Sequence, residues 1–294
     1  MLQSDVFRRA AMERLIEVDG VELCVRTSGT PEHPAVLLVA GMSSPMDCWD
    51  DGLCELLAAA GGYVVRYDQR DTGRSTTSPP GEPGYTFSDL VEDVPGLLDD
   101  LGLPTAHLVG ISMGGAVAQA VALRHPERVA SLTLIATTPV VPLPADSPPL
   151  DYDSDLGELP EPDWSDPASV VDHLVTDQRR LAPVGFDEAR ARALAERVVR
   201  RSVDVRAALT NHALLPGGEP ITGSLADITA PTLVVHGTAD PVFALAHGEA
   251  LAREIPGATL LVVDGMGHEV PPPAAYDVVL SALLAHTAAS RSAE

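Results

Sequence analysis

A short apolar run, Ala106–Val109, leads straight into Gly110-Ile111-Ser112-Met113-Gly114 and on into the Ala-rich stretch Met113–His125. A strand that turns within one residue into a helix needs glycines at the crossing. Side chains at Gly110 and Gly114 are expected to collide with the neighbouring strand and helix. The serine between them is forced into a strained backbone that lifts its hydroxyl out of the turn. In an open α/β sheet, the carboxyl edge of the strands is where ligands bind. The bland alternative is a Gly-rich strand–helix turn with an inert serine.

The rest of the chain repeats the alternation. Apolar runs at Val21–Thr27, Ala35–Ala40, Tyr63–Tyr67, Ser131–Ala136, Thr232–His236 and Thr259–Val263 read as strands, several of them covered on both faces. Helical patterns occupy Trp49–Ala60 and Phe87–Leu101, the latter with Thr86 as N-cap, Asp89 at N3 and an interior Pro95 that should kink it. The expected fold is α/β, with a doubly wound, mostly parallel sheet. Val21–Thr27 and Ala35–Ala40 flank Gly29-Thr30-Pro31 and suggest a short antiparallel start. The alternation stops after residue 137. Residues 139–167 hold eight acids and no base, and read as a solvated Pro-rich loop. Residues 168–215 read as helical. The expected division is a core of residues 1–137 and 223–294 with a helical cap of 138–222 over one edge of the sheet.

Composition narrows the function. The formal charge of −23 opposes binding to nucleic acid or anionic lipid. No apolar run reaches the ~20 residues that span a bilayer, and MLQSDVFRRAAMERL has no apolar stretch of the kind a signal peptide needs. Cys24, Cys48 and Cys54 are too few, and odd in number, for a disulfide framework. A cytoplasmic protein acting on a small molecule is the expectation. No cofactor or metal is expected: neither a phosphate-binding Gly loop nor a ligand-spaced Cys/His cluster is present. Oligomeric state is left open.

A serine hydroxyl needs a base. Of nine histidines, His268 in VVDGMGHEV follows the last strand in a Gly-flanked loop, at the edge where Ser112 lies. His236 reads as structural, His107 sits at the wrong end of its strand, and His125 closes a helix. His33, His173, His212, His247 and His286 read as surface groups. An acid must orient the base. Asp240 in VVHGTADPV, 28 residues before His268, is favoured over Asp264 and Glu269. Two backbone amides are candidate donors to an oxyanion: Met113 N–H, at the positive end of the helix, and Met42 N–H in Gly41-Met42-Ser43-Ser44-Pro45.

LVGISMGG, HGTADPV and GMGHEV together resemble the α/β-hydrolase superfamily, which implies an eight-stranded sheet and a Ser112–Asp240–His268 triad. YDQRDTGRST at 67–76, with the placement of the cap, is most similar to the aclacinomycin methylesterase group of polyketide-tailoring enzymes. Arg70 in that segment is expected to be structural. Many relatives carry His before Gly41, where this chain has Ala40. The resemblance implies hydrolysis of a carboxylic ester, such as a polyketide methyl ester, through an acyl-enzyme. Perhydrolysis, carbon–carbon bond hydrolysis and a slow-turnover ligand receptor are alternatives on the same fold.

Overall fold

In the computed structural model, which describes residues 13–152 and 156–291, the apolar runs become one sheet. Its strands are β1 (Arg14–Val18), β2 (Val21–Ser28), β3 (Ala35–Val39), β4 (Tyr63–Tyr67), β5 (Ala106–Ile111), β6 (Val129–Ile135), β7 (Thr232–Gly237) and β8 (Thr259–Val263). Their spatial order is β1-β2-β4-β3-β5-β6-β7-β8. The β1–β2 and β2–β4 pairs are antiparallel and all others parallel. The antiparallel start is therefore real, but it is the β1–β2 hairpin. β2 and β3 are not neighbours, because β4 inserts between them. Residues 1–12 of the stretch read above for a signal peptide, and residues 153–155 of the acidic loop, lie outside the described residues.

Every residue of β3, β4, β5 and β7 is buried, as a sheet covered on both faces requires. Successive side chains point to opposite faces, so each strand feeds two cores. Leu37, Val39, Leu108 and Leu132 pack with Leu90, Val94 and Leu97 of α2 (Phe87–Asp100) and Val117 and Val121 of α3 (Met113–Arg124). Val36, Leu38, Val109 and Val235 pack on the other side with Leu53 and Leu57 of α1 (Asp51–Ala59) and Val279 and Leu283 of the helix Tyr276–Arg291. Thr86 and Asp89 close a reciprocal capping box on α2, and the helix continues through the buried Pro95.

Between β6 and β7 no strand intervenes among the described residues. After the irregular acidic segment come α4 (Pro167–Leu181), α5 (Glu188–Arg201) and α6 (Val205–Asn211). Val171, Val175 and Ala195 give α4 and α5 a small core of their own. Trp164 anchors the acidic loop: its Nε1 donates to Glu161, and the Arg206 guanidinium of α6 stands 5.5 Å from its ring centre. Among the described residues no helix is long and apolar enough to cross a membrane.

Candidate active site

β5 delivers its last residue, Ile111, to the carboxyl edge of the sheet, and Ser112 follows with φ 52° and ψ −121°. That left-handed conformation costs a non-glycine residue about 1–3 kcal/mol and persists only when its surroundings over-determine it. Here they do. Ser112 N–H donates to Ile135 O at 3.0 Å, and Ser112 O accepts from Gly115 N, Ala116 N and Thr137 Oγ1. The flanking glycines are as constrained as the sequence suggested. A Cβ on Gly110 would strike the Gly114 carbonyl, and one on Gly114 would strike the Val39 and Ala40 carbonyls of the neighbouring strand.

The loops after β7 and β8 reach the same edge. His268 Nε2 lies 2.9 Å from Ser112 Oγ, and His268 Nδ1 lies 3.0 Å from Asp240 Oδ2. The Asp240 side chain is fully buried. Burial alone would raise its carboxyl, but the bond from His268 and the Phe243 and Val242 amides outweigh it and hold the group below its ordinary value. Those amides donate to Oδ1 at 2.9 and 2.8 Å, leaving Oδ2 for the imidazole. A carboxylate only accepts, so the Nδ1 proton is fixed and Nε2 presents a lone pair to the serine. His268 is steadied at two further points: its backbone N–H donates to Leu181 O of α4 at 2.7 Å, and the Phe243 ring stands edge-on to the imidazole at 5.5 Å.

The rival acids are occupied elsewhere. Asp264 accepts from Thr238 Oγ1, and Glu269 from Gly267 N. His236 is fully buried and donates from Nε2 to Phe243 O at 2.8 Å, with Asp240 Oδ2 at 3.5 Å. Burial pushes its pKa down, which keeps it neutral behind the carboxylate.

The two candidate amides border Ser112. Met113 opens α3, whose first turn holds no acid. The Gly41–Ser44 turn follows β3, with Gly41 so close that a Cβ there would stand 3.5 Å from Ser112 Cβ. Among the described residues neither Met42 N–H nor Met113 N–H has a protein acceptor.

Arg70 is structural, as expected: its guanidinium grips the buried Asp93 through bonds of 2.9 and 2.7 Å. The reading of the remaining histidines needs correction. His33 is exposed, but His212 and His247 are buried. His247 Nδ1 lies 2.8 Å from Thr138 Oγ1 and its Nε2 donates to Asp151 O, fastening the acidic segment to the core. His212 bonds Ser43 N and Arg70 O. Sequence could not reveal either role, because both rings find partners about a hundred residues away or more. The helical insert is also tied down by charge. Arg201 of α5 reaches Asp68, Asp47 and Glu13 at 2.5, 2.7 and 2.7 Å. A cleft of about 360 Å³ lined by Pro34, Gly102, Pro104 and His107 opens at the opposite, amino edge of the strands, away from Ser112.

The chain is similar to known proteins along most of its length. Rhodomycin D methylesterase DauP from Streptomyces sp. (strain C5) is 32% identical over 305 residues, spanning 94% of this chain and 98% of that protein. Rhodomycin D methylesterase DnrP from Streptomyces peucetius is 31% identical over the same shares of both chains. The crystal structure of a hydrolase from Pseudomonas aeruginosa PA01 superposes with a TM-score of 0.66 at 26% identity, covering 96% of this chain and 98% of that one. The model of the alpha/beta hydrolase fold family matches residues 34–272. With that match laid over the eight-stranded sheet, the chain belongs to the α/β-hydrolase fold family.

Proposed function

We propose that this protein is a serine esterase that removes the methyl group from the carboxylic ester of a rhodomycin-like polyketide. The observation that carries the reading is the continuous pair of bonds from Ser112 Oγ through His268 to the buried Asp240. The likeness to two methylesterases along nearly the whole chain supports the ester class and the methyl leaving group.

In this reading Ser112 Oγ attacks the ester carbonyl while His268 Nε2 takes its proton. Asp240 holds the imidazole and stabilises the imidazolium. The carbonyl oxygen gathers negative charge against Met42 N–H and Met113 N–H, each such donor being worth about 3 kcal/mol of barrier. His268 then protonates the departing methoxide, methanol leaves, and Ser112 is acylated. Water enters, gives its proton to His268, and attacks the acyl carbon. The free acid departs and Ser112 regains its proton. The insert of residues 138–222 acts as a cap that sets which acyl groups reach the serine. Buried thiols at Cys24 and Cys54 suit a reducing, cytoplasmic setting.

The test is methanol release from polycyclic aromatic methyl esters, measured beside simple acetate esters and with Ser112→Ala as control. Turnover of the methyl esters that Ser112→Ala abolishes is expected. Equal turnover in the variant would refute the role of Ser112, and turnover of acetates alone would refute the substrate class.

A further inference from the structure

The loop that bears His268 leaves β8 well tied to the core and then loses those ties. Met266 N–H donates to Val263 O at 3.3 Å, Met266 O accepts from Ala239 N at 3.1 Å, and Gly265 N–H donates to Thr238 Oγ1 at 2.9 Å. Beyond Met266 such bonds to the core stop. Pro271, Pro272 and Pro273 have no N–H to give. Among the described residues, the backbone of 267–271 makes one hydrogen bond to another element, and that element is in the insert: His268 N–H donates to Leu181 O at 2.7 Å.

Leu181 is the last residue of α4, so its carbonyl is one of the four at a helix end that lack an intrahelical donor. The bond therefore serves both partners. It requires the helix end to come up against the loop, and Gly267 is what admits it. A Cβ at Gly267 would strike Leu181 O and stand 2.9 Å from Ala182 Cα and 3.1 Å from Pro183 Cδ. Gly265, two residues earlier, has φ +72° and needs to be glycine for its backbone alone. Gly267 is not in the left-handed region. The three nearest atoms that a side chain there would meet all belong to the insert.

We propose that the carboxyl end of α4 is the seat of the base: the Leu181 carbonyl fixes the backbone of His268, and Gly267 is the positioning residue that lets the two meet. The insert then does more than screen acyl groups, because whatever unseats α4 also loosens the imidazole from Ser112 Oγ. The bonds to Asp240 and Ser112 orient the ring, but a backbone that drifts carries the ring with it. A side chain at 267 must push either the helix end or the loop aside by on the order of 1 Å, and a misplacement of that size can cost ~10²-fold in rate. Moving the helix breaks the bond to His268, and moving the loop lengthens the contact with Ser112. In both cases the loss falls on proton transfer, and so on kcat, with substrate binding spared.

The catalytic half of this inference rests on the proposed esterase reading; the seating of His268 by α4 does not, and the test separates them. Amide hydrogen exchange at His268 is measured in the full chain for wild type, Gly267→Ala and Pro183→Gly, beside the rate of fluorophosphonate labelling and the kcat and KM for ester. Pro183 is exposed, and replacing it removes the ring that lies over Gly267 and frees the chain just past α4 while the loop keeps its own sequence. That variant decides the matter if Gly267→Ala does not fold. The His268 amide is expected to lose about ten-fold in protection in Gly267→Ala and a few-fold in Pro183→Gly. Labelling rate and kcat should fall ~10²-fold in Gly267→Ala and a few-fold in Pro183→Gly, with KM nearly unchanged in both. His268 protection that stays at the wild-type level in folded Gly267→Ala, or in Pro183→Gly where the first does not fold, would overturn the seating whether or not the protein is an esterase. Slower labelling with His268 protection intact would mean that the loop was disturbed directly and would overturn the role of the insert. Lost protection with labelling and kcat unchanged would overturn the link to catalysis. A wild type that neither labels nor turns over ester would sink the esterase reading and the catalytic half with it, while the exchange data still decide the seating.

Discussion

Replacing Arg201 by Met would expose how firmly the insert is tied to the core. The guanidinium is 12% exposed and the Asp68 carboxylate it meets is fully buried. Arg201 bonds Asp68 at 2.5 and 3.1 Å, Asp47 at 2.7 Å and Glu13 at 2.7 Å. Without it, Asp68 keeps, among the described residues, the Met46 and Arg74 backbone amides at 2.9 and 3.0 Å. Breaking a buried pair by removing one partner costs about 3–5 kcal/mol, because an uncompensated charge stays behind. For a chain of 294 residues the unfolding entropy is about 0.6 kcal/mol/K, so Tm should fall by roughly 5–8 °C. Burial already pushes the Asp68 carboxyl up, and Arg201 is the chief opposing influence. In the variant, therefore, Asp68 takes up a proton more readily folded than unfolded. A carboxyl with a raised folded pKa loses stability as pH rises, so the deficit should be larger at pH 8 than at pH 5. Adding Asp68→Asn should return much of the loss at pH 8. The assay is urea denaturation of wild type, both single variants and the double variant at both pH values. A deficit under about 1 kcal/mol, or none recovered in the double variant, would refute the claim that a buried charge is left stranded.

Other consequences are as direct. Asp240→Asn keeps an oxygen for the Val242 and Phe243 amides but turns an N–H₂ toward His268 Nδ1, which selects the wrong tautomer; ester turnover should fall ~10⁴-fold while Tm stays close to wild type. Gly114→Ala drives a methyl into the Val39 and Ala40 carbonyls, so it should cost at least ~2 kcal/mol in urea denaturation; a neutral effect would mean that the turn is not tightly packed. His212 and His236 are buried with pKa values pushed down, so each binds its proton more readily in the unfolded chain. Stability should then fall as pH drops below about 6.5, by up to ~1.4 kcal/mol per pH unit for each ring. The slope should be shallower in His212→Gln than in wild type, and equal slopes would contradict the assignment.

The parts of the molecule written in local signals were legible. β5, the Gly-flanked serine and α3 follow one another within twenty residues, and the loops bearing Asp240 and His268 each follow a short apolar strand. The first strand was harder. Arg14–Val18 buries only Ile16 and Val18, too few for the apolar-run signal. Its real cue was Asp19-Gly20, both left-handed at φ 47° and 79°, the mark of a tight hairpin. Long-range polar contacts left no such cue. His212 meets Ser43 across 169 residues, and Arg201 meets Asp68 across 133. Nothing in the periodicity of a helix says that one of its charges will be buried against a strand end from another part of the chain.

Whether Ser112 is a nucleophile is decided by covalent labelling with a fluorophosphonate, followed by mass mapping of the modified peptide. One phosphonyl group per chain on Ser112, lost in His268→Ala and in Ser112→Ala, is the expected result. Labelling at another residue, or no labelling of folded wild-type protein, would contradict it.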